Sequence, residues 1–129
     1  MDQYSAKFVG VDLEVEGLLK LFTSFKVRSI QRKGSAEFEL EGQIRKRRSS
    51  KEGFECSFVE FDANDDNLLD FLVSIENLTI GKDHLNIEQT EIWALLERHQ
   101  QINGELSAEV ISKLHSINAS YCWSVLLSE

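Results

Sequence analysis

Residues 106–127 read LSAEVISKLHSINASYCWSVLL, and the change of period inside them decides the fold class. Ser107 has the hydroxyl that accepts a hydrogen bond from a free backbone N–H of a first helical turn. Leu106 before it and Ile111 after it have the spacing of a hydrophobic staple. Val110, Leu114 and Ile117 fall on one helical face. Asn118 tolerates the left-handed conformation that ends a helix. From there the period drops to two: Ala119, Tyr121, Trp123, Val125 and Leu127 alternate with Ser120, Cys122, Ser124, Leu126 and Ser128. A helix followed directly by a strand is expected, in an α+β domain.

Working outward, the same two periods recur. Tyr4 to Val11 reads as a strand with Tyr4, Ala6 and Phe8 on one side and Val9 and Val11 on the other. Asp12 is the expected cap of a helix whose stripe is Val15, Leu18, Leu19 and Phe22. Gly17 inside that helix costs about 1 kcal/mol relative to Ala, so it points to a close packing contact. Phe25 to Ile30 forms a weaker strand that ends at Lys33-Gly34. Phe38, Leu40 and Ile44 alternate with charged residues, and Phe54, Cys56 and Phe58 do the same. These two runs are expected to pair as a hairpin joined by the polar loop Arg47–Gly53. Asp65 is the expected cap of a second helix with the stripe Leu68, Phe71, Leu72 and Ile75. Residues 85–101 fit either a helix or a strand buried on both faces, and a strand is favoured because 119–127 needs a pairing partner. The expected order is β-α-β-β-β-α-β-α-β. This is α+β: an antiparallel or mixed sheet with about three helices packed on one face.

The 129 residues carry a net charge of −8 and fit a single domain over 1–129. Residues 1–51 hold eleven Lys/Arg against seven Asp/Glu, and residues 52–129 hold three against fifteen, so the first part is +4 and the remainder −12. Such a field steers a cationic partner. The start MDQYSAKF has neither the basic nor the apolar run of a secretory leader. No stretch approaches the roughly 20 apolar residues of a membrane span. Cys56 and Cys122 are expected as buried, reduced thiols, which suits a cytoplasmic protein.

Motifs for chemistry are sparse. His84, His99 and His115 lack metal-ligand spacing, and no Cys-x-x-Cys occurs. The run beginning at Asp62 resembles a calcium loop but has Asn67 where a Gly is needed and Val73 where a bidentate Glu is needed. No nucleophile elbow or phosphate loop is present. The expectation is a chain with no catalytic residues, cofactor or metal. Arg45-Lys46-Arg47-Arg48 with Lys51 could contact phosphate, but no aromatic residues interleave them. Glu60, Asp62, Asp65, Asp66, Asp70 and Glu76 gather around the second helix and are the expected partner-binding residues. Trp93 and Trp123 are expected in the core.

Several signatures occur in a familiar order: Phe8-Val9-Gly10 closing the first strand, an early helix, Lys33-Gly34, the helix segment NLLDFL, and residues 104–126, GELSAEVISKLHSINASYCWSVL. Together they resemble the small bacterial family called domain of unknown function 4279, over nearly the whole chain. Phe38 stands where that family's pattern has Trp. The resemblance implies an immunity protein that occludes a bacterial toxin, such as a contact-delivered nuclease, and implies no catalytic residues. The residues leave two alternatives open. One is a non-catalytic ligand- or protein-binding domain of a housekeeping complex. The other is a nucleic-acid contact through Arg45–Lys51.

Overall fold

A computed structural model describes residues 3–46, 53–64, 67–79, 85–98 and 107–127. Seven strands and three helices follow in the order β1 (Gln3–Gly10), α1 (Val15–Leu21), β2 (Lys26–Gln31), β3 (Glu37–Leu40), β4 (Gln43–Lys46), β5 (Ser57–Asn64), α2 (Leu68–Thr79), β6 (Gln89–Arg98), α3 (Ala108–Ser116) and β7 (Ser120–Leu127). The strands form one sheet in the order β4-β3-β2-β5-β1-β6-β7. All neighbours are antiparallel except β6 and β7, which run parallel on either side of α3. The α+β class and the mixed sheet are as the periodicity predicts.

The pleat sends alternate side chains to opposite faces, and one face carries the core. On β1, Tyr4, Ala6 and Phe8 stand opposite Ala63, Phe61 and Val59 of β5, and opposite Ala94, Ile92 and Thr90 of β6. These side chains are buried together with Val15 and Leu18 of α1, Leu68, Phe71, Leu72 and Ile75 of α2, and Leu114 of α3. Phe22 lies at the centre of an aromatic group, with ring centroids 5.6 Å from Phe8, 5.1 Å from Phe61 and 5.9 Å from Phe71. All three helices thus cover the same side of the sheet.

Local chemistry explains the helix ends. Ser107 accepts from the Val110 N–H at 3.2 Å. Asn118 has φ 52°, its N–H reaches the His115 carbonyl, and the Ala119 N–H reaches that of Leu114. This is a Schellman closure, with Asn in the place usually held by Gly. Ile111 is exposed, and Leu106, its expected staple partner, lies outside the described residues. Asp12 does not cap α1. The helix begins after Glu14, whose N–H donates to the Leu85 carbonyl at 3.0 Å, while Asp12 offers its own carbonyl to Asn86. Gly17 does permit a close contact: a Cβ there would stand 2.9 Å from the Leu85 side chain. The expected Asp65 cap falls outside the described residues. Beside it, Asn64 and Asn67 bond reciprocally, each side-chain oxygen accepting the other's backbone N–H at 2.8 and 3.2 Å.

The expected hairpin is replaced by a different pairing. Residues 37–46 are two strands, turned at Glu41 and Gly42 with φ 51° and 81°. A two-residue turn with both residues left-handed matches the twist of the strands it joins. Phe58 and its neighbours therefore do not return along β3. They form β5, between β2 and β1. Residues 89–98 form a strand, but its two faces differ: Ile92 and Ala94 are buried, whereas Trp93 and Leu95 are 40% and 38% exposed. Trp123 is 58% exposed. Neither tryptophan is a core residue: Trp93 alternates with the buried Ile92 and Ala94 and so faces away from the helices, and Trp123 lies on the outermost strand, β7. Cys56 and Cys122 are free and half-buried rather than buried.

Candidate functional site on the uncovered sheet face

The face opposite the helices, which no other described element covers, carries Ser5 and Lys7 of β1, Phe58, Glu60 and Asp62 of β5, and Glu91, Trp93 and Leu95 of β6. Cys122 and Ser124 of β7 continue it beside Trp93 and Leu95. Its middle is a fixed polar network. Glu60 accepts from the Ser5 hydroxyl at 2.8 Å through Oε2 and from the Ser29 hydroxyl at 3.1 Å through Oε1. Asp62 Oδ1 accepts from Arg28 Nε at 2.7 Å. That hydrogen bond, ahead of the opposing effect of burial, raises the Arg28 pKa above its already high ordinary value. A shallow depression of about 200 Å³ lies alongside, lined in part by Arg28, Glu60, Trp93 and Ser124.

This arrangement orients groups. Each serine proton points at a carboxylate, so the hydroxyls are held in place, and Arg28 is fixed by a charge-assisted bond. Trp93 is positioned too, its indole N–H reaching Glu91 Oε1 at 3.2 Å. The result is a rigid polar stripe ending at an exposed aromatic and aliphatic pair.

The structure divides the acidic residues marked in the sequence. Glu60 and Asp62 are on the uncovered face, both already hydrogen-bonded. Asp70 and Glu76 are on α2, across the sheet. Asp70 is exposed. Glu76 ties α2 to α3 by accepting from Ser116 and from Lys113 Nζ, the latter at 3.0 Å. These bonds, Ser116 first, hold its carboxyl below the usual glutamate range. Asp65 and Asp66 lie outside the described residues. The described members are therefore two pairs on opposite sides.

Sequence reasoning missed Ser5, Arg28, Ser29 and Trp93. The alternation Tyr4-Ser5-Ala6-Lys7-Phe8 already sets Ser5 and Lys7 against the core side, and Trp93 and Leu95 oppose Ile92 and Ala94 in the same way. Arg28 left no such signal, because a bulge between Val27 and Ser29 breaks the period there.

Among the described residues no group of three or more His, Cys, Asp or Glu side chains could hold a metal ion. His115 is exposed; His84 and His99 are outside the described residues. Arg45 and Lys46 lie exposed on the edge strand β4, and the rest of the basic run is not described. No described helix is long and apolar enough to cross a membrane. Family models, curated proteins and solved structures return no match to this chain.

Proposed function

We propose that this chain is a non-catalytic protein-binding module of the bacterial immunity type, which neutralises a basic protein toxin, such as a nuclease, by covering it. The observation that carries the reading is the uncovered sheet face with Trp93 and Leu95 exposed at its end. Trp93 is anchored to Glu91 and so meets a partner with little rotamer freedom left to lose. Tryptophans in such positions dominate binding energy at protein interfaces. The net charge of −8 favours a cationic partner by raising the association rate. Toxic nucleases are commonly basic because their substrate is a polyanion. The toxin-directed part of the reading rests on the resemblance carried by Phe8-Val9-Gly10, Lys33-Gly34, NLLDFL and residues 104–126. On this reading the protein works in the cytoplasm, where such a toxin would act.

Co-expression with the basic protein encoded by the adjacent gene tests this. The expected result is a stable complex that isolates intact, with rescue of growth from that toxin. Trp93→Ala should weaken the complex by about 2 kcal/mol, roughly thirtyfold, with the unfolding midpoint little changed. No complex and no rescue would end the proposal.

A further inference from the structure

The uncovered face has a second feature, away from Trp93. Phe38, Phe54 and Phe58 line a groove of about 620 Å³, with Gln31 at its side and Arg45 and Lys46 at its rim. The Phe38 and Phe54 rings meet edge to face with centroids 6.2 Å apart. The wall is therefore aromatic, and its volume lies within the range of small-molecule sites. Arg45 stands directly opposite Phe38 across the β3–β4 ladder, so its guanidinium belongs to the same face as that ring. Among the described residues, neither Arg45 nor Lys46 has a carboxylate within 4 Å, although the protein as a whole is strongly acidic. Among the described residues the Arg45 guanidinium reaches the Gln43 side-chain oxygen alone, at 3.2 Å. Gln31 is held by its bond to the Cys56 carbonyl at 3.0 Å, which stiffens the groove's flank.

We infer that this groove binds a planar aromatic anion: a small molecule whose ring system lies against Phe38 and Phe54 and whose carboxylate, sulfonate or phosphate meets Arg45, the cation that shares their face. An apolar lining alone would accept any hydrophobe. Arg45, with no carboxylate within 4 Å among the described residues, selects a ring that carries negative charge. Sequence reasoning set the basic run apart from aromatic residues. The fold supplies them from β3, from β5 and from the segment before β5. This site is separate from the Trp93 end and does not depend on the protein-binding proposal.

The test is a fluorescence titration of the intact chain with 8-anilinonaphthalene-1-sulfonate and with its neutral analogue N-phenyl-1-naphthylamine, each against the parent and an R45A/K46A variant. Both substituted residues are exposed, so the variant folds. The expected result is saturable one-to-one binding of the sulfonate, weakened roughly fivefold in the variant, as loss of one exposed ion pair implies. Binding of the neutral dye should change by less than about twofold, since no ion pair is involved. Absence of saturable sulfonate binding, or equal sulfonate affinity in the two proteins, would overturn the inference.

Discussion

Replacing Glu60 by alanine removes the one acceptor that both Ser5 and Ser29 use. Those serines are 8% and 6% exposed, so their hydroxyls have little water to turn to. A hydrogen bond to a charged acceptor contributes about 1.5–3 kcal/mol net. Glu60 is half-buried, which favours the lower end, so two such bonds amount to about 3 kcal/mol. Removing the carboxylate also relieves its own desolvation, and the net loss should be about 2 kcal/mol. For a chain of this length that lowers the thermal midpoint by about 8 °C. Glu60→Gln keeps one oxygen acceptor and should lose about half as much. Urea unfolding followed by far-UV circular dichroism measures both. The decisive comparison is with an S5A/S29A background, where Glu60→Ala should cost no more than about 0.5 kcal/mol because its partners are already gone. An unchanged midpoint in E60A, or the same loss in both backgrounds, would refute the coupling and with it the view that Glu60 is a structural residue of this face.

Three further outcomes can be measured in the same way. Glu76 has its pKa lowered by Ser116 and Lys113, so its contribution is complete above the ordinary glutamate value and is lost as pH falls through the lowered one. The stability gap between wild type and Glu76→Gln should therefore hold from neutrality down to the ordinary glutamate value of about 4.3 and shrink progressively below it; a gap that widens on acidification would contradict the assignment. Gly42→Ala should cost about 1 kcal/mol through backbone strain alone, since φ is +81° and a Cβ there meets no atom within 4 Å; an unchanged urea midpoint would show that the turn lacks this geometry. Ser107→Ala should cost about 1 kcal/mol by unpairing the Val110 N–H, and Ser107→Asp should restore most of it.

How far the sequence could be read depended on the range of the interactions involved. Ser107, Asn118 and the stripe Val110, Leu114, Ile117 act within a few residues of one another, so α3 and the start of β7 were legible. The split of residues 37–46 was not. Glu41 adopts a left-handed conformation that Asn or Asp would have signalled and glutamate does not. Without that turn, β5 looked like the return strand of a hairpin. Its central place depends on pairing with β1 and β2, about fifty and thirty residues away in the chain. The acidic residues illustrate the same limit. Their number and order were plain, but whether a carboxylate faces solvent or accepts from Ser5, Ser29, Arg28 or Ser116 depends on residues from other elements. Trp93 and Trp123 were expected inside because they are large and apolar, yet Trp93 falls on the face away from the helices and Trp123 on the outermost strand, which has a neighbour on one side only.

The bulge in β2 shows how the two faces of the sheet depend on each other. Val27 and Ile30 both pack with the core, although they are three residues apart. A regular strand cannot send positions i and i+3 to the same face. The pairing resolves this with one extra residue: Val27 stands opposite Phe61 and Ser29 opposite Glu60, so two steps on β2 match one on β5. Arg28 is the extra residue. Its side chain reaches Asp62, the next position along the uncovered face from Glu60. The same irregularity that lets both Val27 and Ile30 contribute to the core thus brings Ser29 to Glu60 and Arg28 to Asp62. The polar middle of the uncovered face follows from how β2 fills the other side. Trp93, on a strand without such an irregularity, is free of that constraint, which is why a change at Glu60 should register in stability and a change at Trp93 in binding.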